Sequence, residues 1–394
     1  MTWLDLPPGS LFGIANLPYG VFSAAGQPPR AGVRIGDSVL DLAQALSEDV
    51  FDRPSLNAFM AQGRTRWGEV RARITELLTV ERHRPAVEAA LRPLSAVRLH
   101  LPFAPGDYVD FFANEYHAAN AGRLFRPAGE PLTPNWKYLP IGYHGRSGTI
   151  VLSGTPVTRP CGQRKAPDQD VPTLGPTRRL DFEAEVGFVI GVGSAGPVPV
   201  SEFAEHVFGV FLLNDWSARD LQAWEARPLG PFLAKSFATS VSPWVVPLGA
   251  LEHARVSPPP RDPEPLPYLA DTGKWGLDLA LEVRLNGQLV ARPPFATMYW
   301  TPAQMLAHLT VNGASTRTGD LFASGTVSGP DRDQGGCLLE LSWGGAEPLV
   351  LADGSVRSYL VDGDEVAIGA TAPAAGGTRI GFGEVTGQIL PALG

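Results

Sequence analysis

The stretch FEAEVGFVIG, residues 182–191, decides how the rest of the chain is read. Its alternation predicts a β-strand with Phe182, Ala184, Val186 and Phe188 on one side and Glu183 and Glu185 on the other. A rise of roughly 3.3 Å per residue sets the two glutamate Cα atoms only ~7 Å apart. Carboxylates that close repel each other, and burying them unpaired is costly. The simpler reading is a strand with one wet face. The sharper reading is a shared cation, because two carboxylates suit a hard divalent ion such as Mg²⁺ or Ca²⁺.

The segments on either side share the texture of short apolar runs broken by glycine and proline. TIVLSGTPV (149–157), VFGVFLLND (207–215), YLVDGDEVAIG (359–369) and RIGFGEV (379–385) read as strands. LALEVRLNGQLVAR (279–292) reads as a hairpin around Asn286-Gly287, and GVRIGDSVLDL (32–42) as one around Gly36-Asp37. Helical spacing stands out in two places. Trp67, Val70, Ile74, Leu77 and Leu78 mark a helix within 65–78, and Thr301, Pro302 and Gln304 open another over 301–309 as N-cap, N1 and capping-box residues. Residues 82–98 read as a link from a small first unit to the rest, and 257–268 (SPPPRDPEPLPY) as an extended loop. The expected fold is mainly β with some α, a barrel, roll or sandwich.

A length of 394 residues suits two or three domains, or one small domain and one large β-rich one, and 44% hydrophobic content is ample for their cores. The net charge of −8 argues against nucleic acid as a partner. Two cysteines, Cys161 and Cys337, make neither a thiolate zinc site nor a disulfide framework, which agrees with a reducing compartment. MTWLDLPPGS has no basic start of a signal peptide, and no apolar run reaches transmembrane length. The expectation is a soluble cytoplasmic protein with no membrane or nucleic-acid partner.

Several other residues are candidates for chemistry. In NDWSARDLQAWE (214–225), a helix starting at once would put Asp215, Arg219 and Gln222 on one face, able to join the glutamates at a cation; the alternative is a surface ion pair. Asp110, in GDYVDFFANEYHAANAG (106–122), is a further carboxylate, with His117 a general base beside it or simply a structural histidine. Lys235, in GPFLAKSFATS (230–240), must find an anion, lose its proton or snorkel to water. Glu340 stands alone in GGCLLELSW, read as an apolar strand, and could orient His117 or pair with another base. Gly191, Gly193 and Gly196 spell GxGxxG, but Pro197 and Pro199 follow, so no helix opens to hold a pyrophosphate.

These segments, together with NLPYGVFS (16–23), PNWKYLPIGYHGR (134–146), PLGPFLAKSF (228–237), SPWVVP (242–247), MYWTPAQMLAHLTVNG (298–313) and GDLFASGTVSG (319–329), resemble the fumarylacetoacetate hydrolase family over nearly the whole chain. The resemblance implies a small SH3-like N-terminal barrel with a helical linker at 1–98 and a large mixed β-roll at 99–394 that forms a homodimer. It implies Ca²⁺ and/or Mg²⁺ held by Asp110, Glu183, Glu185 and Asp215, with Lys235 and Thr239 at the metal. It makes His117 the base and Glu340 its orienting partner, and it places Arg219, Gln222 and Lys235 around an oxyanion. Arg126, Tyr143 and Thr326 fall at substrate-binding positions, as does Phe112, where the family pattern has tyrosine. Ala226 likewise replaces a tyrosine, and Ala238 a glycine. The implied activity is hydrolysis of the C–C bond of a small diketo-dicarboxylic acid, fumarylacetoacetate, to fumarate and acetoacetate, the last step of tyrosine catabolism. An acylpyruvate hydrolase, decarboxylase or isomerase on the same fold, and a non-catalytic metal-binding β protein, are the alternatives.

Overall fold

In the computed structural model, which describes residues 2–166, 168–271 and 273–393, the opening stretch forms the strand Ala184–Ile190. All seven of its residues are buried, so the wet-faced reading fails. The strand lies inside a large mixed sheet. On one edge it pairs antiparallel with Val207–Asp215, and on the other with Leu321–Ala323. Leu321–Ala323 runs parallel to Tyr108–Phe111, which pairs with Gly142–Gly145. Each face is covered by its own apolar cluster. Phe182, Ala184, Val186 and Phe188 join the core of the large unit. Val189, Phe211, Leu213 and Leu321 join the core shared with the N-terminal residues. A sheet packed on both faces gives Glu185 no route to bulk water.

The strand carrying the glutamates also has no room for a larger side chain at its centre. A Cβ added at Gly187 would meet the Phe211 ring at 2.4 Å. Gly187→Ala should therefore destabilise the fold by about 1–3 kcal/mol, the usual range for overpacking, read as a lower urea midpoint with an unchanged m-value.

The N-terminal residues build a small barrel-like sheet in the order Leu91–Pro93, Ser38–Asp41, Arg30–Ile35, Tyr19–Ala24, with Val97–His100 also on Tyr19–Ala24. The Gly36 turn has φ +53°, as the hairpin requires. The helix Arg64–Thr79 buries the five apolar residues that its spacing singled out. Residues 82–98 are not a link. They form the helix Arg84–Ala90 and two strands of the small sheet, with Leu40 opposite Leu91 and Val21 opposite His100. The barrel-like sheet continues into the large one through Tyr19 opposite Val245.

A second sheet holds the hairpin Ala280–Leu285 and Gln288–Ala291, Glu365–Pro373 and Val385–Leu390. Its turn is at Asn286 (φ 52°) and Gly287 (φ 79°), as expected. The helix Pro302–Thr310 has the predicted Thr301–Gln304 capping box. Two expectations need correction. Glu340 lies on a short helix, Leu338–Leu341, rather than a strand. Asp215 is the last residue of its strand, and the helix begins only at Arg219, so the two do not share a helical face. No helix among the described residues is long and apolar enough to cross a membrane.

Candidate active site

The sheet brings its acidic residues together at one end. Asp110 pairs in register with Tyr143, and Asp215 with Thr239. One oxygen each from Asp110, Glu185 and Asp215 lies within 4.8 Å of the others. All three residues are buried. Asp110 Oδ1 and both oxygens of Glu185 have no hydrogen-bond partner. Burial, and then the neighbouring carboxylates, push Asp110 and Glu185 well above the usual carboxylate range. Once ionised, these donor-poor oxygens need a counter-charge. An all-oxygen nest of this kind fits a hard divalent cation.

Glu183 departs from the pairing that the alternation predicts. It precedes the strand, and its amide donates to Asn214 Oδ1 at 3.0 Å. Its side chain turns to cations: Oε1 lies 2.8 Å from Arg219 Nη1, and Oε2 meets Lys235 Nζ. Burial alone would raise this carboxyl, but Arg219, Lys235 and His117 outweigh it and hold Glu183 far below the usual range. Lys235 does not snorkel. It is buried, and Nζ also donates to Asp215 Oδ2 at 2.8 Å. Burial pulls its pKa down, but Asp215 and Glu183 more than reverse this, so the ammonium stays charged. Tyr143 Oη and Thr239 Oγ1 donate to the two oxygens of Asp215 at 3.0 and 3.2 Å.

His117 rides on the helix Glu115–Phe125, whose N-cap Asn114 accepts from the His117 amide. Its Nδ1 lies 2.7 Å from Glu340 Oε2, although 223 residues separate the two. Asn120 Nδ2 donates to Glu340 Oε1 at 2.9 Å, and Ser328 Oγ to Oε2 at 2.7 Å. Burial opposes ionisation of Glu340, but His117 and these donors win and hold its pKa low. An acceptor at Nδ1 selects the tautomer with the proton there, leaving the Nε2 lone pair to face the site. Nε2 is 3.9 Å from Glu183 Oε1. The Phe112 ring packs edge-on against the imidazole at 5.3 Å.

Arg219 is buried and held at three points. Nε donates to Asp181 Oδ2 at 2.9 Å, and Nη1 reaches Glu183 and, at 3.1 Å, Gln222 Oε1. Its Nη2 is buried with no partner, a donor ready for a developing negative charge. A cavity of about 250 Å³ opens beside Asp215, Lys235, Thr239 and Tyr143, with Arg146 and Phe232 at its walls. Three expected substrate contacts, Arg126, Phe112 and Thr326, are not among its walls. Arg126 ends the His117 helix and donates to the Pro131 carbonyl at 2.8 Å, and Thr326 is buried. Ala226 ends the Arg219 helix, and Ala238 is buried beside Thr239.

Asp181, Asn120 and Ser328 escaped the sequence reading. Asp181 had a signal, since it extends the two-residue period of Glu183 and Glu185. Asn120, three residues after His117, shares its helical face, whereas nothing local marks Ser328.

An imidazole backed by a carboxylate, a free guanidinium donor and an anionic nest fit for a cation together make a water-activating enzyme rather than a passive metal binder. Residues 108–390 match the family described as fumarylacetoacetate hydrolase, C-terminal, and residues 15–102 match fumarylacetoacetase, N-terminal. The chain belongs to the fumarylacetoacetate hydrolase family. It is 46% identical to the fumarylacetoacetase of Homo sapiens over 418 residues, covering 100% of this chain and 99% of that protein. Identity to the fumarylacetoacetase of Oryza sativa subsp. japonica is 43% over 420 residues, covering 100% and 97%. Among solved structures, a fumarylacetoacetate hydrolase from Exiguobacterium antarcticum aligns with a TM-score of 0.57 at 19% identity, over 95% of this chain and 99% of that one. Maleylpyruvate hydrolase from Sphingobium sp. SYK-6 aligns with a TM-score of 0.55 at 17% identity, over 95% and 100%. Both structural likenesses concern the fold.

Proposed function

We propose that this chain hydrolyses the C–C bond of fumarylacetoacetate to fumarate and acetoacetate, as the last step of tyrosine catabolism. The observation that carries this reading is the His117–Glu340 pair set against Arg219 and Lys235, in a chain 46% identical from end to end to a fumarylacetoacetase.

The chemistry follows from the side chains. His117 Nε2 takes a proton from water, and Glu340 stabilises the imidazolium that forms. The hydroxide attacks the carbonyl next to the fumaryl group. Arg219 Nη2 and the charged Lys235 donate to the tetrahedral oxyanion, and Gln222 keeps the guanidinium in place. The C–C bond then breaks toward the acetoacetate carbon, and Lys235 is the proton donor to it. Asp110, Glu185 and Asp215, with Glu183, would hold Ca²⁺ and/or Mg²⁺, and that charge favours the enolate character of a bound 1,3-diketone. Thr239 and Lys235 steady this nest through Asp215.

The remaining assignments belong to the same proposal. Tyr143, at the cavity wall, and Phe112, beside His117 and by its ring alone, contact the substrate, whereas Arg126 and Thr326 keep that role only as the family resemblance implies it. The chain has two domains, expected at 1–98 and 99–394, with the boundary better set just past the strand Val97–His100, which pairs with Tyr19–Ala24. A homodimer would cover the exposed Trp224, Leu229 and Leu233, which lie close in sequence to the cavity residue Phe232. The compartment is the cytoplasm, in keeping with two free cysteines.

Purified protein mixed with fumarylacetoacetate should remove the diketone's ultraviolet absorbance and release fumarate and acetoacetate in equal amounts. Carbon dioxide or an isomer as the product would instead indicate the decarboxylase or isomerase chemistry of related enzymes, and preference for an acylpyruvate would move the substrate class.

A further inference from the structure

We propose that Asp181 is a positioning residue that fixes the imidazole of His117 and the guanidinium of Arg219 relative to one another, an inference that rests on the hydrolytic reading above. Asp181 is fully buried and spends both oxygens on two separate parts of the site. Oδ1 accepts from the Leu338 amide at 2.7 Å, and Oδ2 from the Leu339 amide at 2.9 Å. These are the first two N–H groups of the Leu338–Leu341 helix, whose own N-cap residue Cys337 gives them no side-chain bond. Helix-start amides lack partners inside the helix, so a carboxylate from elsewhere in the chain satisfies them and sets where the helix sits. That helix carries Glu340. The same Oδ2 accepts from Arg219 Nε at 2.9 Å.

The contacts close into a ring. Asp181 holds the helix of Glu340, and Glu340 holds His117 at 2.7 Å. His117 faces Glu183 at 3.9 Å, and Glu183 binds Arg219 at 2.8 Å. Arg219 returns to Asp181 at 2.9 Å. The group that takes a proton from water and the group that meets the oxyanion thus share one fully buried anchor. A hydrolase needs both at a fixed spacing around the attacked carbonyl, and an error of about 1 Å in such a spacing costs roughly 10²-fold in rate.

Asp181→Asn tests this. Asparagine can still accept from Leu338, but its NH₂ faces the Leu339 amide and Arg219 Nε, donor against donor. With the folded state confirmed by circular dichroism, kcat should fall roughly 100-fold while KM stays within about threefold. In an Arg219→Lys background, which already lacks the Nε contact, the same change should cost less than about fivefold, because the two residues act as one unit. Amide exchange at Leu338 and Leu339 should quicken at least about tenfold in Asp181→Asn. A kcat within threefold of wild type, or losses that simply multiply in the double variant, would overturn the proposal. Should Asp181→Asn not fold, Asp181→Glu keeps the charge but displaces it by one methylene, and should lower kcat at least about tenfold with KM held; an unchanged kcat there also overturns the proposal. If wild-type protein releases no fumarate, the hydrolytic reading fails separately, and exchange at Leu338 and Leu339 decides on Asp181 alone, unchanged protection counting against it.

Discussion

His117→Ala should lower kcat for diketone cleavage by about 10³-fold or more, within the range that general-base groups supply. The size follows from how completely the site is arranged around that one nitrogen. Glu340 holds the imidazole by its Nδ1 side and is itself held by Asn120 and Ser328, while Glu183 is tied to Arg219 and Lys235, and Asp110 and Glu185 would be engaged by the cation. Alanine leaves Glu340 with its Asn120 and Ser328 donors, so the fold should survive, and circular dichroism checks that it does. Glu340→Gln should cost less, about 10²-fold, because the imidazole remains but loses the partner that fixes its tautomer. The measurement is loss of the diketone absorbance under saturating substrate. A His117→Ala protein within tenfold of wild type would remove His117 from the role of base, and Glu340 with it.

The sequence made the strands legible because their burial is periodic, and it made the acids legible because they interrupt apolar runs. It could not show how two faces are covered. Glu185 looked wet because its strand alternates, yet the N-terminal residues pack over that face. Glu183 and Glu185 looked like twins, yet one lies before the strand and answers to Arg219 and Lys235 while the other has no donor at all. In Glu340, four residues of LLEL are too few to separate a buried strand from a turn of helix by periodicity. Residues 82–98 looked like a link because their two strands are three and four residues long and their partners lie some 50 to 80 positions away. Glu340 and Ser328 become neighbours of His117 only after the sheet closes. The acids themselves were visible, but their division of labour was not. The fold sorts six buried carboxylates into those with donors, Asp181, Glu183, Asp215 and Glu340, and those whose oxygens go without, Asp110 Oδ1 and Glu185.

That sorting predicts the behaviour of the protein when divalent cations are removed. Chelation should abolish turnover and lower the thermal midpoint by about 3–6 °C when the cation had been present near 100 times its dissociation constant. The midpoint change should be larger at pH 8 than at pH 5.5. Asp110 and Glu185 have folded pKa values raised above their ordinary ones, first by burial, and then by Asp215 for Asp110 and by Asp110 and Asp215 for Glu185. Without a cation, the stability tied to such groups is fully present below the ordinary carboxylate pKa of about 4 and is lost as pH rises through the raised folded values. A bound cation needs them ionised, so it competes with protons, and the stabilisation it brings grows over the same interval. Glu183 and Glu340 work in the opposite sense. Their folded values are depressed, so their contribution is present above the ordinary carboxylate pKa and disappears only as pH falls through the folded value. Between pH 5.5 and 8 they stay constant, and the slope reports the buried carboxyls whose folded values are raised, Asp110 and Glu185 together with Asp215 and Asp181. Glu185→Gln should flatten it, since a neutral amide neither titrates nor draws a cation as strongly. Full activity after confirmed metal removal would exclude a catalytic cation, and a midpoint change independent of pH would show that the unpartnered oxygens of Asp110 and Glu185 are not where it binds.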